Sequence, residues 1–313
     1  MSSSAVPWVN IELECSSRKR RTLFYDCRKG TLDGKAASPA VSQSEFKSPT
    51  RYSGERLVRE KPLLIAFHGG SGQPEQMEKL TGFISLAEEH DFFVAYPEGL
   101  NRGWNDGREV PGRKEIDDVD FLIKLVDNLR QSFPIDSKRV YACGISNGGF
   151  FAQYLAVRAP HLLAAVGSVA ATVHEPMYKN LSVSVPIPIV FVIGKDDPVI
   201  PFDGGEIVLA RRKSGMVMSA QAGLEYWVAA NHADFRCVEI DLPVLDREDP
   251  TRVFKRVYPA LPDGKPVVAY LIEGGGHAWP MGWQYYRERY IGTTSRQLDA
   301  SRALLDFFFA QCL

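Results

Sequence analysis

Three residues of this chain have the types and the order needed for acyl transfer to a serine: Ser146, Asp197 and His277. That reaction needs a nucleophile, a base to take its proton, and a group that orients the base. Ser146 lies in Gly144-Ile145-Ser146-Asn147-Gly148, a G-x-S-x-G pattern. It is preceded by the apolar run Val140-Tyr141-Ala142-Cys143 and followed by a helical pattern through Val157. A strand, a tight turn and a helix are the context in which this pattern presents a serine as a nucleophile. The helix N-terminus then directs free N–H groups at an anion forming beside Ser146.

Each member of the trio follows an apolar run, so each is expected on a loop at one edge of a common sheet. His277 comes after Gly274, Gly275 and Gly276, which let its loop approach the serine. It is expected to take the proton of Ser146 and return it to the leaving group. Asp197 is expected to hold the imidazole; its neighbour Asp196 is chemically equal, but Pro198 fixes the turn beside Asp197. For the oxyanion, one donor is expected from the backbone N–H of Asn147 and a second from Gly69 or Gly70, with Gly70 preferred. His68 is expected to pack its loop. Trp104, Trp279 and Trp283 fall in polar loops, where a tryptophan either lines a substrate cleft or buries against the loop. Asn105, Asp106 and Arg108 are expected to hydrogen-bond within their own loop or to meet a polar substrate.

The elements that must carry these residues are legible as alternating strands and helices. Continuous apolar runs at 62–67, 92–97, 139–143, 163–169, 188–193 and 267–272 suit strands buried on both faces. Helical patterns occupy 75–90, 117–130, 147–159, 219–231 and 296–309. Asp117 or Asp118 caps or charges the second of these. The pattern predicts a mostly parallel α/β sheet with helices on both faces. Residues 11–27 read as edge strands or a hairpin, 28–56 as a long surface loop, and 235–260 as two short strands. No repeat or linker divides residues 1–313, so a single domain is expected, with an insertion or cap within 202–262.

Composition narrows the chemistry further. Among 313 residues, 37 basic and 38 acidic side chains nearly cancel, which disfavours nucleic acid as a partner. Hydrophobic residues make up 45%, enough for a packed core. No apolar run approaches the length of a membrane span. The first ten residues lack an apolar signal core, which fits a protein kept inside the cell or a secreted one whose signal has been removed. Cys15, Cys27, Cys143, Cys237 and Cys312 show no metal-binding spacing, so no metal is expected; a bridge between Cys15 and Cys27, or one through Cys237, stays open. No organic cofactor is needed for the chemistry. Oligomeric state is not legible.

Several segments in order carry a family likeness: HGGSG at 68–72, GWNDGR at 103–108, IDDVDFL at 116–122, GISNGG at 144–149, DPVIPFDGG at 197–205, EGGGHAWP at 273–280 and TSRQLDA at 294–300. Over about 60–310 the chain resembles the poly(3-hydroxybutyrate) depolymerase-like and feruloyl esterase proteins of carbohydrate esterase family 1. The resemblance implies an α/β-hydrolase fold, a nucleophile at Ser146, an acid at Asp197, a base at His277 and an oxyanion donor in the 69–70 pair. It implies a serine carboxylic-ester hydrolase for small or oligomeric aryl (feruloyl-type), short acyl or 3-hydroxyalkanoate esters. A serine peptidase on the same fold and an idle binding protein on a hydrolase scaffold are the rival readings.

Overall fold

The structure is a computed structural model and describes residues 8–15, 18–27, 59–209 and 212–313. The surface loop expected at 28–56 lies outside the described residues. Among the described residues, ten strands form one sheet. In chain order they are β1 (Trp8–Cys15), β2 (Arg18–Tyr25), β3 (Lys61–Phe67), β4 (Phe93–Pro97), β5 (Ile135–Ile145), β6 (Ala165–Val169), β7 (Ile189–Gly194), β10 (Val238–Asp241), β11 (Arg252–Tyr258) and β12 (Val267–Glu273). A separate two-stranded sheet pairs β8 (Gly205–Leu209) with β9 (Arg212–Val217). The large sheet runs β1-β2-β4-β3-β5-β6-β7-β12-β11-β10. Its centre, β4 to β12, is parallel; β1, β2, β10 and β11 add antiparallel flanks. The central strands are buried along nearly their whole length, as continuous apolar runs require.

The α-helices, in chain order, are α1 (Pro74–Thr81), α2 (Phe83–His90), α3 (Asp118–Ser132), α4 (Asn147–Arg158), α5 (Glu175–Asn180), α6 (Ala220–Ala230), α7 (Glu288–Ile291) and α8 (Ala300–Phe309). They cover both faces of the sheet. On β6, Gly167 and Ser168 point to opposite sides because strand side chains alternate. A methyl on Gly167 would meet Leu304 of α8 at 2.7 Å. Ser168 Oγ instead accepts a hydrogen bond from Gln153 of α4 at 2.9 Å. The parallel strands all end on one edge, so the loops after β5, β7 and β12 gather there.

Three details differ from the sequence expectation, each for a local reason. The helix expected over 75–90 is two, α1 and α2, because Gly82 takes a left-handed conformation (φ 61°) that ends the first. Asp117 caps α3 by accepting the N–H of Asp120, whereas Asp118 is buried in an ion pair with Arg20 at 2.6 Å. Of the region 202–262, only the β8–β9 hairpin stands apart. The rest is helix α6 and strands β10 and β11, which complete the main sheet.

A Cys15–Cys27 bridge is excluded by register. Cys15 pairs with Arg18 and Trp8 with Tyr25, which puts the two cysteines at opposite ends of the hairpin, about 23 Å apart and far beyond disulfide reach. Cys15 Sγ lies 3.0 Å from Asp120 Oδ2. No helix among the described residues is long and apolar enough to cross a membrane.

Candidate active site

β5 runs straight into the elbow. Ser146 has φ 56° and ψ −120°, a conformation that non-glycine residues rarely adopt. Strain of this kind persists only where the surroundings enforce it, and it clusters at functional sites. Here the enforcement is packing. A methyl on Gly144 would fall 2.5 Å from the backbone of Gly148, and one on Gly148 would collide with the carbonyl oxygen of Phe67. The strand, the helix and β3 thus approach backbone to backbone. Ser146 N–H donates to Val169 O at 2.9 Å, and Ser146 O accepts from Phe150 N at 2.9 Å, starting α4.

The glycine-rich loop after β3 lies beside this turn. The Cβ position of Gly69 is 3.6 Å from Ser146 Cβ, and that of Gly70 is 3.9 Å from Asn147 Cβ. His68 anchors the loop from below. Its Nδ1 donates to Gly69 O at 2.8 Å and its Nε2 accepts from Gly99 N–H at 2.9 Å. The ring is therefore neutral, and burial pushes its pKa down to about 4. With both nitrogens committed, His68 is a strut and has no free nitrogen to act as base.

His277 and Asp197 are a buried pair, with Nδ1 and Oδ2 at 2.7 Å and side chains 4% and 2% exposed. Asp197 follows β7 and His277 follows β12, which are adjacent and parallel. Asp197 Oδ1 also accepts the N–H groups of Val199 and Ile200 at 2.7 and 2.8 Å. Asp196 acts on the backbone instead. Its carboxylate accepts Gly274 N–H at 2.6 Å, and its own N–H donates to Gly275 O at 3.0 Å. It clips the aspartate loop to the histidine loop. Downstream chain holds His277 from the other side, through His277 N–H to Ile291 O at 2.5 Å and Tyr285 Oη to His277 O at 2.8 Å.

A small apolar cluster joins these loops. Phe150 of the elbow helix, Val199 and Ile200 of the aspartate loop, Ile207 and Val217 of the hairpin, and Ile291 beside the histidine pack together, with Tyr285 against them. The segments bearing the serine, the acid and the base are thus packed into one body at the carboxyl edge of the sheet.

The tryptophans divide. Trp104 is fully buried, so it lines no cleft. It stacks on Phe151 and its Nε1 donates to His68 O at 3.0 Å, bracing the glycine-rich loop against α4. Trp279 is 1% exposed and its Nε1 donates to Ser301 Oγ at 3.0 Å, tying the histidine loop to α8. Trp283, by contrast, is exposed.

A lock at the Asn147 side chain is not evident from the sequence. Its Oδ1 accepts Trp104 N–H at 2.8 Å and Arg113 Nη1 at 3.3 Å; its Nδ2 donates to Trp104 O at 3.0 Å and Asp106 Oδ2 at 2.7 Å. Asp106 is in turn paired with Arg108 at 2.6 Å. Burial opposes the Asp106 charge, yet Arg108 and His174 nearby hold its pKa below the ordinary carboxylate range. Arg108 Nη1 continues to Ser214 O of the hairpin at 2.9 Å, and His174 Nε2 donates to Asp106 O at 2.7 Å. The segment GWNDGR is therefore a buried polar keystone between elbow, hairpin and glycine-rich loop. Its only signal in the sequence is the GWNDGR pattern itself.

Residues 50–239 match the family described as Esterase PHB depolymerase. The chain belongs to this family. Carboxylic-ester hydrolysis is its chemistry. An esterase-named protein of Nocardia uniformis subsp. tsuyamanensis, NocK, is 33% identical over 260 residues, covering 80% of this chain and 75% of the relative. Feruloyl esterase B of Piromyces equi is 25% identical over 251 residues, covering 77% of this chain but 44% of the relative. Among solved structures, a thermostable esterase superposes with TM-score 0.54 at 14% identity, covering 98% of this chain and 64% of that one. That likeness shows the fold, an α/β-hydrolase with a mostly parallel central sheet flanked by helices.

Proposed function

We propose that Ser146, Asp197 and His277 hydrolyse carboxylic esters through an acyl-enzyme, with aryl (feruloyl-type) or short acyl groups as substrates. The observation that carries this is the buried His277–Asp197 pair, held at the same sheet edge as a serine in a strained elbow. Because Nδ1 faces the carboxylate, Nε2 is left to accept a proton. Ser146 Oγ attacks the carbonyl carbon while its proton passes to Nε2. The carbonyl π pair moves onto oxygen, and the oxyanion takes hydrogen bonds from the N–H of Asn147 and of Gly70 or Gly69. The carbon–alkoxy bond then breaks, and its electron pair leaves on the alcohol oxygen, which takes the proton from Nε2. Water repeats the sequence on the acyl-serine and releases the acid. Neither step draws on a metal or an organic cofactor.

The name of the Piromyces relative supports a feruloyl acyl group, and the family description supports hydroxyalkanoate esters as the second substrate to test. The deciding experiment is a hydrolysis panel of methyl ferulate, naphthyl acetate and butyrate, 3-hydroxybutyrate oligomers and a peptide set, run beside fluorophosphonate labelling. Labelling lost in Ser146→Ala, with turnover of esters and not peptides, is the expected result. Labelling that survives Ser146→Ala would refute the assignment.

A further inference from the structure

Three arginines surround the glycine-rich loop and the elbow, and two of them are neutralised. Arg20 pairs with Asp118 and Arg108 with Asp106, each at 2.6 Å. Arg113 is different. Among the described residues it forms no ion pair. Its guanidinium donates to neutral oxygens at long range, from Nη1 to Asn147 Oδ1 at 3.3 Å and from Nη2 to Arg102 O at 3.4 Å. A guanidinium facing a carboxylate is held at about 2.7–2.9 Å instead. Arg113 is half-buried, and burial lowers its pKa, with Asp106 opposing, Arg108 adding to the effect and Asp118 opposing. A cation partly withdrawn from water and left without a carboxylate is unfavourable until an anion joins it.

The seat of this guanidinium is built. A methyl on Gly103 would fall 2.1 Å from Arg113 Cζ, 2.3 Å from Nη2 and 2.5 Å from Nη1, so the group lies face-on over Gly103. Gly103 is fully extended (φ −179°), a backbone that other residues adopt. Glycine at this position therefore leaves room for Arg113. The seat also adjoins the chemistry. Asn147 follows Ser146 and carries the proposed oxyanion N–H, and Arg102 O accepts Ser71 N–H of the glycine-rich loop at 2.7 Å as well as Arg113. Arg113 thus bridges the two segments that flank the oxyanion position. In the sheet, β3 and β4 lie on one side of β5, and β6, β7 and β12 on the other. Arg113 is borne by the loop after β4 and His277 by the loop after β12, so the serine strand lies between them. His277 protonates the departing alcohol. The acyl half, which stays on Ser146, extends away from the histidine, to the side that holds Arg113.

We propose that Arg113 receives a carboxylate at the far end of the acyl group, so that the substrate is a half-ester of a short dicarboxylic acid. The Nη2 edge of the guanidinium is exposed, and a planar guanidinium takes a carboxylate through two parallel N–H···O bonds. The incoming charge replaces two weak contacts with two charge-assisted ones. The inference rests on the esterase reading of Ser146 and His277 and adds the charge of the acyl half.

The test holds the alcohol constant and varies the charge of the acyl group. Monoethyl glutarate and monoethyl adipate are each compared with the ethyl ester of the same chain length that ends in an isopropyl group instead of the carboxylate. Acetoxyacetate against isobutyl acetate places the same charge on the alcohol half. The readout is the ratio of kcat/KM for the charged ester to that for its neutral partner, in which any loss common to both cancels. Wild type should favour the charged acyl group. Arg113→Gln should lower that ratio roughly tenfold, and Arg113→Lys should retain part of it. Gly103→Ala, whose methyl takes the seat of the guanidinium while Arg113 remains in the chain, should lower the ratio as Arg113→Gln does. Glutarate should inhibit wild type competitively and the Arg113→Gln variant more weakly. A wild-type ratio near one, a ratio in Arg113→Gln within twofold of wild type, or an equal preference for charge on the alcohol half overturns the proposal. Fluorophosphonate labelling of Ser146 separates the two failures. Intact labelling with unchanged ratios rejects the carboxylate site alone, whereas absent labelling rejects the esterase assignment beneath it.

Discussion

Asp197 faces His277 with one carboxylate oxygen and its own loop with the other: Oδ2 meets Nδ1 at 2.7 Å, and Oδ1 accepts two backbone N–H groups. One side chain therefore sets the imidazole tautomer and folds the turn that carries it. Asp197→Asn keeps an oxygen for the turn but offers an amide to Nδ1, which favours the wrong tautomer. We expect kcat on p-nitrophenyl acetate to fall about 10³- to 10⁴-fold, with Tm within a few degrees of wild type. Asp196→Asn, whose side chain accepts the Gly274 N–H, should lose less than tenfold. Equal losses in the two variants would sink the assignment of roles.

The strain at Ser146 predicts a trade of stability for function. Ser146→Ala keeps Cβ and hence the strain, so its Tm should match wild type. Ser146→Gly removes the Cβ that makes φ 56°, ψ −120° unfavourable and should raise stability by about 1–2 kcal/mol. Both variants should be inactive. Chemical denaturation of the three proteins checks this, and a glycine variant less stable than the alanine variant would show that the elbow is not under strain.

The central strands and the three-loop site are legible in the sequence because apolar continuity and glycine spacing are local signals. Trp104 and Trp279 are not, because the partners that bury their indole N–H groups, His68 O and Ser301 Oγ, lie 36 and 22 residues away. A tryptophan in a polar stretch looks exposed until those partners are known. The membership of β10 and β11 in the main sheet is hidden for a similar reason. β10 is short and exposed and β11 is only half-buried, so their sequence carries weak alternation, yet backbone pairing through β12 makes them part of the main sheet. The Asn147 lock is hidden because its partners Trp104 and Asp106 lie more than 40 residues away.

That lock makes Asn147→Ala costly on two counts. It leaves the backbone N–H and carbonyl of Trp104 without a partner in a buried site and takes one donor from the Asp106 carboxylate, which keeps Arg108; the expected destabilisation is about 2–4 kcal/mol. It also releases the segment that braces the glycine-rich loop through Trp104, so kcat should fall although the backbone N–H of residue 147 is retained. Asn147→Asp tests the electrostatics, since a carboxylate beside Asp106 exchanges a donor for repulsion. Urea melts and kcat measured together check both; a variant that keeps wild-type values in each would show that the contacts carry no weight.

His68 predicts an acid limit on stability. Its folded pKa is lowered to about 4, against about 6.5 for an exposed histidine. Between those values the unfolded chain binds the proton and the folded chain does not, so stability rises with pH across that window and is fully present above it. On acidification from pH 6.5 to 4 the loss attributable to this ring is about 3 kcal/mol. In His68→Gln the slope over this window should flatten, although the variant is less stable at pH 7. Tm measured from pH 4 to 8 in both proteins is the check; parallel curves would mean that other groups carry the acid sensitivity.

Two glycines near the serine should respond oppositely to a single methyl. At Gly148 the added carbon would collide with Phe67 O and fall 2.6 Å from His68 O. Both are backbone carbonyls where β3 leaves the sheet, so no side chain can rotate away and the strand end itself must move. The cost should reach the upper range of overpacking, about 3 kcal/mol or more. Because the displaced carbonyls lead directly into Gly69 and Gly70, the remaining folded protein should lose far more activity than the fraction folded accounts for. At Gly70 the nearest atom to the same methyl is Asn147 Cβ at 3.9 Å, an ordinary contact. Gly70→Ala keeps its N–H and should fold within about 1 kcal/mol of wild type. Soluble yield, Tm and kcat per folded molecule separate the two. A well-folded, active Gly148→Ala would mean that the close approach of helix α4 to β3 does not position the oxyanion donors.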